Sequence, residues 1–225
     1  MKTGQFWHGK KYRFGDFDKA RAVVSYPQQI SRLPGADKGE IVMLAKTAKP
    51  KTVQSSSAKV RDLCITAVCI VLVYVFTAMV NITFPGAGDG GLMHMGNIPL
   101  FIAAILFGRK TGAIAGGVGM ALFDLLSPFA VWAPFTLVIV GAMGYVVGLI
   151  AEKHRSMGWY LLAVVLALAI KVGGYYVAEG ILYGNWISPV ISIPGNVIQV
   201  AVGAAVALAV IRPLRAAADK ALHRV

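Results

Sequence analysis

Nine side chains stand out because their chemistry is at odds with their surroundings: His94, Asn97, Asp124, Trp132, Lys171, Tyr175, Glu179, Asn196 and Gln199. Each lies within or at the edge of a long apolar stretch. There an ionisable or amide group is costly and marks a functional position by default. Asn196 and Gln199 are three residues apart and share a helix face. Tyr175 is one turn from Glu179, and a desolvated carboxylate beside a phenol is an acceptor for the N–H groups of a small ring. Each has a plainer alternative. Asp124, followed by Ser127 and Pro128, could cap a helix end. Lys171 could snorkel to the interface or pair with Asp124 or Glu179. Trp132, Trp159 and Trp186 could be aromatics at headgroup level. Asn81, near Thr83 and Pro85, reads as interfacial.

The chemistry these residues lack is also informative. No Gly-rich loop ending in Lys-Ser/Thr is present, so a P-loop nucleotide engine is not expected. No His-Glu-x-x-His motif occurs, and the four histidines are His8, His94, His154 and His223. No nucleophile–base pair is evident; Asp124 with His94 is the one candidate couple for an enzyme. Catalytic residues, metal ligands and cofactors are therefore expected to be none. Cys64 and Cys69 lie five apart in one apolar run and point roughly 140° away from each other on a helix. They are not read as a disulfide or metal pair.

The elements that must carry these residues are apolar. Of 225 residues 57% are hydrophobic and 14% are charged, where a soluble domain would carry about 25% charged. Six runs emerge: Leu63–Ile82, Ile98–Phe107, Thr111–Leu126, Ala133–Ala151, Trp159–Tyr183 and Ile187–Ile211, the last interrupted by Pro189 and Pro194. The second and third are short and could instead make a re-entrant hairpin, which leaves the parity of crossings even. Small-residue stripes, Gly112–Gly116 and Ala113–Gly117–Ala121 in run three and Ala201–Ala205–Ala209 in run six, permit close helix approach, within the chain or toward a separate subunit. Pro194 and Gly195 are expected to loosen run six and free backbone groups near Asn196.

Charge sets the orientation. Residues 1–61 hold 13 Lys/Arg against 4 Asp/Glu. The remaining basic clusters fall at Arg109–Lys110, at Lys153 and Arg155, and from Arg212 to Arg224, so every cluster lies on one side of a six-span chain with cytoplasmic ends. The net charge of +12 is thereby read as topology, and nucleic acid is excluded as a partner. The expected organisation is a basic cytoplasmic arm (1–61) with a weak helix near Phe14–Val24 and a linker at 46–57, a membrane domain (62–212) and a cytoplasmic tail (213–225). The fold expected is an all-α membrane protein, a bundle of about six transmembrane helices in a lipid bilayer. With that orientation nearly all the polar groups lie in the outer half, as a pocket open to the outside requires.

The order of short segments resembles a known family. Gly96-Asn97-Ile98-Pro99, Leu106-Phe107-Gly108-Arg109-Lys110-Thr111-Gly112-Ala113, Asp124-Leu125-Leu126-Ser127, Trp132-Ala133-Pro134-Phe135-Thr136, Gly141-Ala142-Met143-Gly144 and Pro194-Gly195-Asn196-Val197-Ile198-Gln199 are similar to the substrate-specificity (S) components of energy-coupling factor (ECF) vitamin transporters, over roughly residues 62–212. The branch it most resembles takes hydroxymethylpyrimidine, other thiamine precursors or pyridoxine. The resemblance implies a non-enzymatic subunit of the cell membrane of bacterial type that captures such a vitamin from outside with high affinity. It also implies a transmembrane coupling protein and two cytoplasmic ATPases as partners. Carried onto matching positions, it implies a substrate site of His94, Asn97, Trp132, Glu179, Asn196 and Gln199, to which spacing adds Tyr175. One departure concerns docking: an Ala-x-x-x-Ala pair common in the family's first helix is here Ala67 followed by Val71. The rival function is a self-sufficient secondary transporter, which would need a second broken helix in an inverted repeat.

Overall fold

The computed structural model describes residues 56–79, 81–83 and 92–222. The expectations for the arm before residue 56, and for residues 223–225, lie outside them. The chain divides into two compact units, residues 1–62 and 63–225, and the architecture below is that of the second.

Six α-helices are present among the described residues: α1 (Ser56–Met79), α2 (Asn97–Phe107), α3 (Arg109–Leu125), α4 (Ala133–Lys153), α5 (Met157–Tyr183) and α6 (Ile193–Leu222). Four apolar segments are long enough to cross a membrane: residues 59–79, 130–153, 157–183 and 188–221. Helix α2 has 11 residues and α3 has 17, or about 16 and 25 Å at 1.5 Å per residue, against a hydrocarbon core of about 30 Å. A short antiparallel ladder, β1 (Asn81–Thr83) with β2 (Leu92–His94), pairs Asn81 with His94. An all-helical expectation does not anticipate it. Three-residue pieces with no regular hydrophobic period leave little trace in sequence.

Helices α2 and α3 form a hairpin with Gly108 alone between them. Its φ of +89° and ψ of −176° fall in a region essentially reserved for glycine. The turn is tied to the end of α4: the Arg109 backbone N–H donates to Glu152 Oε1 at 2.9 Å, and the Arg109 guanidinium lies 3.7 Å from Glu152 Oε2. Helices α3 and α4 then run in close contact, because Gly112 meets Gly144 backbone to backbone and Gly117 meets the Leu137 carbonyl. The glycine stripe of run three thus serves packing within the chain. The stripe of run six does not. Ala201, Ala205 and Ala209 face outward, while Gly203, Ala204, Ala207 and Ile211 face the core. The core is built of Leu100, Phe101, Met120, Val140, Met143, Val147 and Ile211, all nearly fully buried. Large apolar side chains such as Leu63, Val138, Leu161 and Ile181 cover the outside, the inverse of a water-facing surface and what lipid as solvent allows.

One boundary expectation is corrected. Pro194 does not break a helix; it occupies the second position of α6, where no intrahelical donor is required. The break lies just before it, in the 3-10 segment Ser188–Ser192. Pro213 falls inside α6, which continues to Leu222.

Candidate substrate site

Helix α5 sets the frame of the site. Lys171, Tyr175 and Glu179 follow one another at four-residue spacing and so form one stripe along a single helix face. Facing them are Asn196 and Gln199 on α6, Thr136 on α4, Asp124 at the end of α3, Phe129 and Trp132 in the α3–α4 connection, and His94 at the end of β2. These ten residues line one cavity enclosing about 440 Å³, its open mouth included.

Aromatic rings build one wall. The Trp132 and Tyr175 centroids are 6.3 Å apart at 46°, and Tyr183 meets Trp132 edge-on at 6.0 Å. Trp132 is 6% exposed. It is therefore a pocket wall and not a headgroup anchor, whereas Trp159 and Trp186 are exposed. The Tyr175 hydroxyl shares a 3.0 Å hydrogen bond with Thr136 Oγ1, which fixes the phenol.

Charged groups flank this wall. Lys171 is 1% exposed, so it does not snorkel. Its ammonium donates to Gln199 Oε1 and lies 5.4 Å from the centre of the Tyr175 ring. Asp124 does not cap a helix with its side chain: Ser127 Oγ donates to the Asp124 backbone carbonyl at 3.1 Å. Its carboxylate is buried, with Thr136 as a hydrogen-bonding neighbour and Lys171 within electrostatic reach, and Oδ2 has no partner among the described residues. Glu179 is 3% exposed, next to Ser192. His94 is outside the helices, and its Nδ1 accepts the Gly96 backbone N–H at 3.3 Å. Burial, and then the nearby Lys171 charge, hold its pKa well below the ordinary imidazole value. A neutral ring with Nδ1 as acceptor carries its proton on Nε2.

Six of the seven residues expected at the site therefore line this cavity: His94, Trp132, Tyr175, Glu179, Asn196 and Gln199. Asn97 does not. It is fully buried in the first turn of α2 against Gly203 of α6, and neither polar atom of its side chain has a partner among the described residues. Four lining residues were not assigned to the site from sequence: Asp124, Phe129, Thr136 and Lys171. For Lys171 the signal was present in the spacing 171–175–179. Phe129 and Thr136 carry none, being an ordinary aromatic and hydroxyl in an apolar segment.

A pocket with an aromatic wall and buried charges, set in a helical body clad in apolar side chains, suits capture of a small polar ring. The ECF-type riboflavin transporter S component family matches residues 57–216, most of the chain. The chain belongs to the S components of ECF-type vitamin transporters. It is the substrate-binding subunit of such an importer, as the sequence resemblance implied. Among relatives of this S component, the thiamine precursor transporter HmpT of Lactococcus lactis subsp. cremoris is 32% identical over 144 residues, covering 64% of this chain and 81% of the relative. An uncharacterised protein of Pyrococcus woesei is 39% identical over 112 residues, covering 50% of this chain and 74% of its own length. The solved S component of a bacterial ECF transporter superposes with a TM-score of 0.55 at 20% identity, over 69% of this chain and 96% of that one. That likeness speaks for the fold.

Proposed function

We propose that this S component captures a small aminopyrimidine of the thiamine-precursor class, hydroxymethylpyrimidine being the type compound. The observation that carries this reading is the pairing of an aromatic wall with two buried carboxylates, Asp124 and Glu179, in a cavity of about 440 Å³. Ionised carboxylates only accept hydrogen bonds. They suit a ring whose edge carries an exocyclic amine and a hydroxyl as donors. Trp132 and Tyr175 stack on the ring. Glu179 and Asn196 read its N–H and hydroxyl edge, and His94 offers Nε2–H to a ring nitrogen. The name of the Lactococcus relative agrees with this class.

In the same reading all six helices cross or enter the membrane, both ends of the chain lie in the cytoplasm, and residues 1–61 and 213–225 are cytoplasmic extensions of a membrane domain in the plasma membrane. A coupling protein and two ATPases supply the power stroke, and this chain hydrolyses nothing itself.

Isothermal titration of the purified protein with hydroxymethylpyrimidine, thiamine, pyridoxine and riboflavin tests the substrate. Tightest binding of the aminopyrimidine is expected; a preference for riboflavin or pyridoxine would overturn the assignment. Glu179→Ala is expected to abolish binding while the bundle stays folded by circular dichroism, and an unchanged affinity in that variant would remove Glu179 from the site.

A further inference from the structure

At the other end of α5, roughly 20 Å along the helix from Lys171 at 1.5 Å per residue, lies a second cavity. It holds about 700 Å³ with its open mouth, between the start of α5 and the last turns of α6. Arg155, Arg212 and Arg215 line it, with Ser156 at the helix start and Met157 and Ile211 as an apolar floor. No carboxylate lines it, and among the described residues none of the three arginines is ion-paired. One guanidinium is held in place: Arg215 donates to the Ile105 carbonyl at 2.7 Å and to the Tyr160 hydroxyl, and lies 5.4 Å from the centre of the Tyr160 ring. Ser156 has the extended backbone of a helix cap, φ −95° and ψ 152°, yet its hydroxyl makes no capping bond.

The depth of this pocket is set by its neighbours. The apolar segment of α5 begins there, at residue 157, and Trp159, exposed and stacked at 3.8 Å on His154, marks the headgroup level where tryptophan concentrates. Uncompensated arginines in a cleft between helix ends at that level are suited to a phosphate.

We propose that this cleft is a phosphate site, with the phosphodiester of an anionic lipid headgroup bridging Arg155, Arg212 and Arg215 and the acyl chains lying over Met157 and Ile211. The same chemistry would accept a free phosphate. The site is independent of the vitamin pocket and of the substrate assigned to it.

The test is native mass spectrometry of the full-length protein in detergent, titrated separately with phosphatidylglycerol, phosphatidylcholine and inorganic phosphate. The double variant Arg155→Gln/Arg212→Gln is compared with Lys46→Gln/Lys49→Gln, which removes the same charge from the basic arm. Arg215 is kept because it ties α6 to α2. Wild type is expected to retain one phosphatidylglycerol in preference to phosphatidylcholine. The pocket variant should lose affinity on the order of tenfold or more, and the arm variant should not. Competition by inorganic phosphate at millimolar concentration, without lipid retention, would assign the site to free phosphate. Equal losses in the two variants, or no preference for either anion, would overturn the proposal. Circular dichroism of the pocket variant, expected to match wild type, separates loss of the site from loss of fold.

Discussion

Lys171 sits at mid-helix in α5 with its ammonium hydrogen-bonded to Gln199 and its charge within reach of Asp124. A buried ammonium survives only where such partners offset its desolvation. Lys171→Met removes that charge and its bond to Gln199 and leaves the Asp124 carboxylate without its cation, so a loss of about 1–3 kcal/mol is expected, read as a lower Tm in detergent. Asp124→Asn combined with Lys171→Met should recover part of it, a coupling of about 0.5–3 kcal/mol; strictly additive losses would mean that the two groups do not communicate. His94 gives a pH signature. Its folded pKa is depressed, so below about pH 6.5 the unfolded chain takes up a proton that the folded protein refuses, and stability falls with acidification. Wild-type Tm should therefore drop more steeply than that of His94→Gln between about pH 7.5 and 5.5. Side chains of this kind were conspicuous in the sequence because polar groups in apolar runs are costly. Asn97 was equally conspicuous but lies outside the cavity, since sequence registers the cost of a buried amide and not the direction in which it points.

At the scale of the element, the α2–α3 hairpin depends on Gly108. Replacement by Ala must force a side chain into a backbone region costing about 1–3 kcal/mol, and its Cβ would press on the Glu152 carboxylate. A matching Tm loss is expected. Gly144→Leu should be worse, since its side chain would collide with the Gly112 backbone and separate α3 from α4. A variant as stable as wild type would show that the two helices need not touch. Apolar runs and glycine spacing made these helices legible from sequence. The direction of the run-six stripe was not legible, because Ala201–Ala205–Ala209 and the buried Gly203–Ala207 pair obey the same four-residue spacing on different faces. Only the packing partners tell the two apart.

At the scale of the whole molecule, topology is directly testable. With Cys64 and Cys69 replaced by serine and alanine, a single cysteine at Ser156 should react with a membrane-impermeant maleimide only from the cytoplasmic side. One at Asn185, in the α5–α6 connection, should react only from outside. Labelling of both from the same side would rule out α5 as a single crossing. The pattern of arginines and lysines predicts this arrangement through the energetic preference that governs insertion, and so does the placement of the two cavities at opposite ends of α5.

Hydropathy and charge are one-dimensional properties, and from them alone the sequence determined that the chain is an apolar helical body with polar groups gathered toward one end. Its short motifs were enough to place it among the S components. Three things required the tertiary structure: that Asp124 and Lys171 join the expected site residues around one cavity, that Asn97 turns away from it, and that Arg155 meets the distant Arg212 and Arg215 at the opposite end. Each depends on which face of one helix meets which face of another. That is decided by close packing of glycine, alanine and bulky side chains between helices, a relation between segments that no single segment records.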